Sequence, residues 1–397
     1  MPKVTPCTYI PILYTKRGER SALSDLNSSI DESYLPLFII NPIEWDFDND
    51  EPKKDITNHL QPIVKDLLKK WRGTACFVDA EEVGDTPMAD GRHPLTWIVE
   101  TLRAQGRDAI PVTGLNRSID YQSAVQNLVA QNLELCIRLP IGDWNQATIH
   151  PSSLFSLITL VGSTPEATHL VLDAGLHNRS TTGSFTQMTL NNLYNPSTWA
   201  SIIVTTSSMP ASMPSGDGLH TIPRPEWPEY KNLLSLPLRR KPSFGDYVIQ
   251  SPDSSSNLNP RVISPSNNLR FLMDDFWYLP KSGQFKKGGS KPLVSMLTLL
   301  SKQVGYIAGN SACETWIDEI ISNPTGNAGN PEAWRRYGTV RHITRTVELI
   351  ASLCASSESP SPGPAALGAV SPQPGAGPSH FVSESGSPGR ALASPAR

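Results

Sequence analysis

Cys76-Phe77-Val78-Asp79, then Ala109-Ile110-Pro111-Val112-Thr113, then residues 133–140 are three short apolar runs separated by amphipathic segments, and they decide the reading of the fold. Their spacing of roughly 30 residues is that of a parallel βαβ unit. The repeat extends both ways. Upstream lie residues 9–14 and 35–40, the second closed by Asn41-Pro42, because proline cannot continue a central ladder. Downstream lie residues 169–173, 201–206 and 244–250.

Helical periodicity fills the intervals. Leu60, Ile63, Val64, Leu67, Leu68 and Trp71 form the sharpest stripe. Asp120 is expected to cap a helix that buries Tyr121, Ala124, Val125 and Leu128. The segment after residue 173, rich in Thr, Ser and Asn, predicts only a weak helix.

Eight continuous apolar strands in βα alternation imply a parallel sheet covered by helices. Eight is the count that closes a TIM-like (β/α)8 barrel; the alternative is a doubly wound open sheet. After the eighth strand, residues 269–273 and 276–280 flank Asp274-Asp275 as a hairpin. Three helical segments follow. The expected domains are a barrel over 1–256, an appendage of hairpin and helices over 257–354, and a tail over 355–397. No long linker precedes the appendage, and its helices need a surface for their apolar stripes, so it is expected to pack on the barrel. The tail, rich in Pro, Ser, Gly and Ala, has few groups able to build a core, and disorder is expected there.

A net charge of −3 gives no case for general nucleic-acid binding, although a local basic groove is compatible with it. The five cysteines are scattered and odd in number, which points to reduced thiols and a cytoplasmic setting. Cys76 and Cys136 sit inside apolar strands as small core residues. No apolar run is long enough for a membrane span, and the N-terminus lacks a signal-type apolar core. The fingerprints of dinucleotide folds, phosphate loops, zinc sites and serine hydrolases are missing, which argues against those classes and leaves any cofactor unspecified. Asp46-Phe47-Asp48-Asn49-Asp50 resembles the start of a calcium loop, but Glu51 stands where Gly is needed and Thr57 where Glu is needed. It reads as a solvated acidic loop, and no metal ligands are assigned.

In a barrel, the C-terminal ends of the strands share one mouth. Asp79, Arg138 and Asp173 each follow directly on buried apolar positions. An unpaired ion there would cost several kcal/mol, so Arg138 requires an acidic partner, and Asp173 on the next strand is the best placed. The functional reading is a charged pocket. Lys16 and Arg138 hold an anion, Glu19 and Asp246 complete the ligand-binding set, and Asp79 and Asp173 are the catalytic candidates, acting as base or on a divalent ion. The competing reading is a buried salt bridge with nothing bound. His177, just past the sixth strand, is a candidate base, although a lone loop histidine is more often solvated. Gly329-Asn330-Pro331-Glu332 is a good helix start. Arg341-His342 has no explanation in the pattern.

Several segments in order resemble the beta family protein of bacteria and phages. They are Tyr9-Ile10-Pro11-Ile12-Leu13, Lys16-Arg17-Gly18-Glu19 with Ala22-Leu23, Leu35-Pro36-Leu37, His59-Leu60, Phe77-Val78-Asp79, Arg138-Leu139-Pro140 and Leu172-Asp173. Gly245-Asp246-Tyr247, Gly329-Asn330, Trp334-Arg335, Gly338 and Arg341-His342-Ile343-Thr344 complete the set. Two positions depart from the family pattern, Tyr14-Thr15 and Pro280, and Pro280 is expected to end the hairpin early. The resemblance implies the fold and a phage–bacteria setting, and it supplies no catalytic residues. The expected function is a barrel that binds or processes an anionic, phosphate-containing small molecule or a nucleic-acid end. As an enzyme it would be a hydrolase or lyase acting on a phosphorylated or nucleotide-like substrate. The alternative is a non-catalytic module whose C-terminal helices meet a phage or host protein.

Overall fold

The computed structural model describes residues 4–148, 151–178, 181–253, 265–323 and 327–358. Its centre is a closed barrel of eight parallel strands: β1 (Ile10–Tyr14), β2 (Leu37–Ile39), β3 (Ala75–Asp79), β4 (Asp108–Thr113), β5 (Leu135–Pro140), β6 (Thr168–Leu176), β7 (Ser201–Ser207) and β8 (Ser243–Asp246). Each strand pairs with its predecessor in the series, and β8 returns to β1 with Gly245 opposite Ile10. The open sheet is therefore ruled out.

Closure depends on a missing side chain. A Cβ on Gly245 would stand 2.6 Å from Thr205 Cγ2 and 2.7 Å from the Ile10 carbonyl oxygen, so only glycine lets β8 lie against both neighbours. Ile12, Leu37, Phe77, Ile110, Cys136, Val171 and Ile203 fill the barrel interior. The alternate residues, among them Leu13, Phe38, Val78, Ile137, Leu172 and Phe244, pack under the helices. Burial on both faces is why the strands read as continuous apolar runs.

The covering helices are α1 (Arg17–Asp25), α2 (Ile56–Lys70), α3 (Pro94–Ala104), α4 (Ile119–Val129), α5 (Ser152–Leu160), α6 (Thr182–Asn192) and α7 (Glu226–Ser235). The cap of α4 is Ser118, whose hydroxyl accepts from the Tyr121 amide at 3.0 Å, and not Asp120. Asp120 lies in the first turn, where its charge suits the positive end of the helix. The weakly signalled α6 forms because its threonines can be buried: Thr186 donates to the Thr182 carbonyl at 2.9 Å, which satisfies its hydroxyl. The eighth strand stops at Asp246, short of residue 250. Val248 turns the backbone to φ 52°, and Gln250 N–H donates to the Tyr247 carbonyl.

Past the barrel, the strand Phe276–Gln284 pairs antiparallel with Phe271–Leu272 and Ser266–Asn268, and on its other edge with Gly218–Pro223 from between β7 and α7. Pro280 does not end it. Pro280 sits opposite Leu219, and its carbonyl, the one ladder group proline retains, accepts from Leu269 N–H at 3.2 Å. After a single helical turn at Phe285–Gly288 come three longer helices: α8 (Leu293–Leu300), α9 (Ala312–Ser322) and α10 (Pro331–Glu358). They enclose a second core around Leu269, Phe271, Leu297, Ile317 and Trp334. Val340, Ile343, Val347 and Ile350 of α10 belong instead to the core around the barrel, so one helix joins both.

Residues 355–358, expected in the tail, continue α10; the rest of the expected disordered tail lies outside the described residues. Cys7 and Cys354 form a disulfide across 347 residues, which corrects the expectation of five reduced thiols. Cys76, Cys136 and Cys313 are free and buried. Among the described residues, no helix is long and apolar enough to cross a membrane.

Candidate functional site

The strand ends of β3, β5, β6 and β8 bring four side chains together. Arg138 donates from Nε to Asp173 Oδ2 at 2.8 Å, from Nη1 to Asp79 Oδ2 at 3.1 Å, and from Nη2 to the Tyr247 hydroxyl at 2.8 Å. Tyr247, just beyond β8, donates its hydroxyl to Asp173 Oδ2 at 2.5 Å. Arg117, from the loop before α4, clasps Asp79 at 3.0 Å and also pairs with Glu81. Arg138 and Asp173 are therefore partners, as expected, with Asp79 as a second carboxylate.

Both aspartates are fully engaged. Asp173 Oδ1 also accepts from Thr205 and from the Gly175 amide, each at 3.0 Å. Asp79 Oδ1 accepts from the Glu81 amide and from Arg117. Burial works against the charge on Arg138, but Tyr247, Asp173 and Asp79 overcome it and hold the guanidinium firmly protonated. Burial likewise pushes the Tyr247 hydroxyl well up, so it remains a donor.

Above this network lies a pocket of about 250 Å³ lined by Tyr14, Glu82, Asn116, Arg117, Arg138 and Asp143, among others. Tyr14 stacks on Tyr247 with ring centroids 6.2 Å apart, and burial raises its hydroxyl to about 12. Lys16 places its ammonium 5.6 Å from the Tyr14 ring centre, which sets a cation at the edge of the mouth.

Lys16 also caps α1. Its amide donates to Glu19 Oε2 at 3.2 Å, the reciprocal half of a capping box. Glu19 is buried beneath Lys16, and burial raises its carboxyl against the pull of Lys16 and Arg335. Burial lowers Lys16, and repulsion from Arg335 and Arg270 adds to that while Glu19 opposes it.

Asp246 is not brought to this mouth. It faces outward from β8, where it accepts from Tyr9 at 2.5 Å and from Arg224 at 3.0 Å, and meets His342 Nε2 at 2.8 Å. Burial raises its carboxyl, but His342, Arg224 and Tyr9 outweigh burial and hold it at about 2. This cluster accounts for His342 and docks α10 on the barrel. Arg341 pairs with buried Glu314 at 2.6 Å. His177 is buried against Glu229 at 2.8 Å and is not a solvated loop group. In the acidic loop, the Asp46 carboxylate accepts from the Asp48 and Asn49 amides within a local turn. Among the described residues, no group of three or more His, Cys, Asp or Glu is placed to hold a metal ion.

The family profile described as Beta protein matches residues 9–348, from the first residues of the barrel to the middle of α10. The chain belongs to the Beta protein family. No curated protein matches it. The match spans both the barrel and the appendage, so Arg138, Lys16 and Arg335 all fall inside it.

Sequence reasoning missed Arg117, Tyr247, Arg270 and Arg335. Arg117 lies four residues past the end of β4 and Tyr247 directly after β8, and neither carries a motif, although Tyr247 stands beside Asp246 in the resembling segment. Strand alternation through the end of β8 turns Tyr247 into the barrel and leaves Asp246 outside.

Proposed function

We propose that this protein is a ligand-binding barrel that takes a small phosphate-bearing molecule at its C-terminal mouth. The phosphate lies on the Lys16 side, and the hydroxyl- or amine-bearing remainder lies over Arg138 and the rim carboxylates. One observation carries this reading: Tyr14 lines the mouth pocket and carries the Lys16 ammonium on its ring, so a cation stands at the edge of an otherwise acid-rich hollow.

Charge divides the ligand. Asp79, Glu81 and Asp173 already answer Arg117 and Arg138, and Glu82 and Asp143 add negative charge at the rim. A phosphate is favoured toward Lys16, and polar donors are favoured toward the acids. The saturated carboxylates of Asp79 and Asp173 favour an anchoring role for both, holding Arg138 rigid, over proton abstraction. If the protein is also an enzyme, a hydrolase or lyase acting on a phosphorylated substrate fits this division.

The test is calorimetry and thermal melting of the full chain with pyrophosphate, sugar phosphates and AMP. At a hundredfold excess over Kd, a true ligand stabilises by about 2.7 kcal/mol. Lys16→Gln is expected to remove that gain. No stabilisation by any of the three classes refutes the reading.

A second reading, a non-catalytic module for a phage or host protein, is favoured by one observation. Leu299, Val304 and Ile307 are exposed together at the end of α8 and in the following loop, Val304 almost completely. Capture of a partner from infected cells that is lost in Val304→Asp but kept in Lys16→Gln supports this module in place of the ligand site.

A further inference from the structure

Beside the mouth, three cations from three separate elements crowd together. Lys16 opens α1, Arg335 lies in the first turns of α10, and Arg270 lies between the strands Ser266–Asn268 and Phe271–Leu272. Two glycines allow this. A Cβ on Gly18 would stand 2.8 Å from the Glu332 carbonyl and 3.0 Å from Arg335 Cβ, and a Cβ on Gly338 would stand 2.9 Å from the Arg270 carbonyl. Close approach of α10 therefore sets Arg335 against both α1 and the Arg270 loop.

None of the three makes an ion pair among the described residues, whereas nearby Arg17 pairs with Glu332 and Arg20 with Asp66. Arg270 spends Nη1 on the Ile249 carbonyl, and its buried Nε has no hydrogen-bond partner among the described residues. Burial, with repulsion from Arg335 adding to it, lowers Arg270 to about 10 against the pull of Glu19. Glu19 is the carboxylate that pulls on all three, so the cluster keeps an excess of positive charge, which an anion most easily relieves. Arg335 lines two hollows. One, of about 150 Å³, also holds Gln250, Ser266, Asn268 and Arg270, all hydrogen-bond donors. The other, of about 620 Å³, holds Lys16, Lys54 and His59 together with Glu44 and Glu332, the latter paired with Arg17, and has the size of a small-molecule site.

We infer that the phosphate group of the ligand is gripped jointly by barrel and appendage, through Lys16, Arg270 and Arg335 with Ser266 and Asn268 as neutral donors. This rests on the proposed anion-binding reading and deepens it: the appendage is part of the binding site, and a barrel without it would lack two of the three cations. A small phosphorylated molecule is favoured over a polynucleotide, because the hollows are compact and the chain as a whole is acidic.

The test titrates sulfate, pyrophosphate and AMP into the full-length wild type and into Arg270→Gln, Arg335→Gln and Lys16→Gln. Each appendage variant is expected to lose at least tenfold in pyrophosphate affinity. Its melting temperature in anion-free buffer should hold or rise, because like-charge repulsion is relieved; a merely structural arginine would lower it. Should Arg335→Gln melt early, Arg335→Lys decides. Restored melting with partly restored affinity supports the grip, and restored melting without affinity overturns it. Affinity unchanged in both appendage variants but lost in Lys16→Gln overturns the joint grip and leaves the mouth reading intact. No binding by wild type removes both. A 5′-phosphorylated oligonucleotide that binds tenfold better than pyrophosphate overturns the small-molecule assignment.

Discussion

Arg138 on β5 and Asp173 on β6, offset by two residues in the register of their strands, approach to 2.7 Å, and Tyr247 closes the third side by bonding to both. The guanidinium side chain is 18% exposed and the two carboxylates it joins are 5% or less. Removing the cation leaves buried negative charge without an answer. Arg138→Ala is expected to destabilise by about 3–5 kcal/mol, and Tyr247→Phe by about 1–3 kcal/mol. Urea unfolding measures both. A loss under 1 kcal/mol for Arg138→Ala would show that the network is not what holds the mouth.

Asp246 governs acid stability. Its carboxyl is held at about 2, below the ordinary carboxylate range, so the stability it contributes is present above an unfolded value near 4 and is lost as pH falls through about 2. Melting temperature should drop between roughly pH 4 and pH 2. Asp246→Asn should flatten that drop while costing about 3–5 kcal/mol at neutral pH, because Arg224 and His342 lose their shared partner.

Glu19 tunes the cationic flank. Its carboxyl is raised by burial, and when protonated it no longer offsets the charge of Lys16, Arg270 and Arg335. Sulfate, which does not titrate in this range, should bind more tightly as pH falls through the raised Glu19 value. It should bind more weakly as pH climbs through the lowered Lys16 value. Glu19→Gln keeps the cap to the Lys16 amide through its amide oxygen. It should tighten sulfate binding at neutral pH and abolish the acid limb, both read by calorimetry.

The disulfide ties the start of the barrel to the end of α10. In the chain-entropy account, closing so long a loop stabilises by at least the typical ~2–4 kcal/mol. Reduction, or Cys354→Ser, should lower the melting temperature and speed proteolysis near the end of α10. An unchanged melting curve on reduction would show that the bond adds nothing beyond the Asp246 cluster.

The barrel was legible because its strands are buried on both faces and its helices repeat between them; β3, β4 and β5 alone give the unit and the handed connection. Gly218–Pro223 was not legible, since its residues are at most half-buried and its pairing partner lies far along the chain. Pro280 misled because its carbonyl can serve a ladder that its nitrogen cannot. Of the site, the Arg138–Asp173 pair follows from strand neighbours and the cost of buried charge. Asp246 was misplaced because the expected strand ran on to residue 250, and a run buried on both faces does not show from its polarity which residues face the barrel interior. Arg270 and Arg335 depend on how the appendage docks, and nothing local in the sequence encodes that.

The most direct measurement is an anomalous-scattering map of a crystal of the full chain soaked in tungstate, a phosphate mimic. A peak within hydrogen-bonding reach of Lys16 at the C-terminal end of the barrel is the predicted result. A soaked crystal whose only peaks lie at the opposite end of the barrel, or that shows none, would contradict the account.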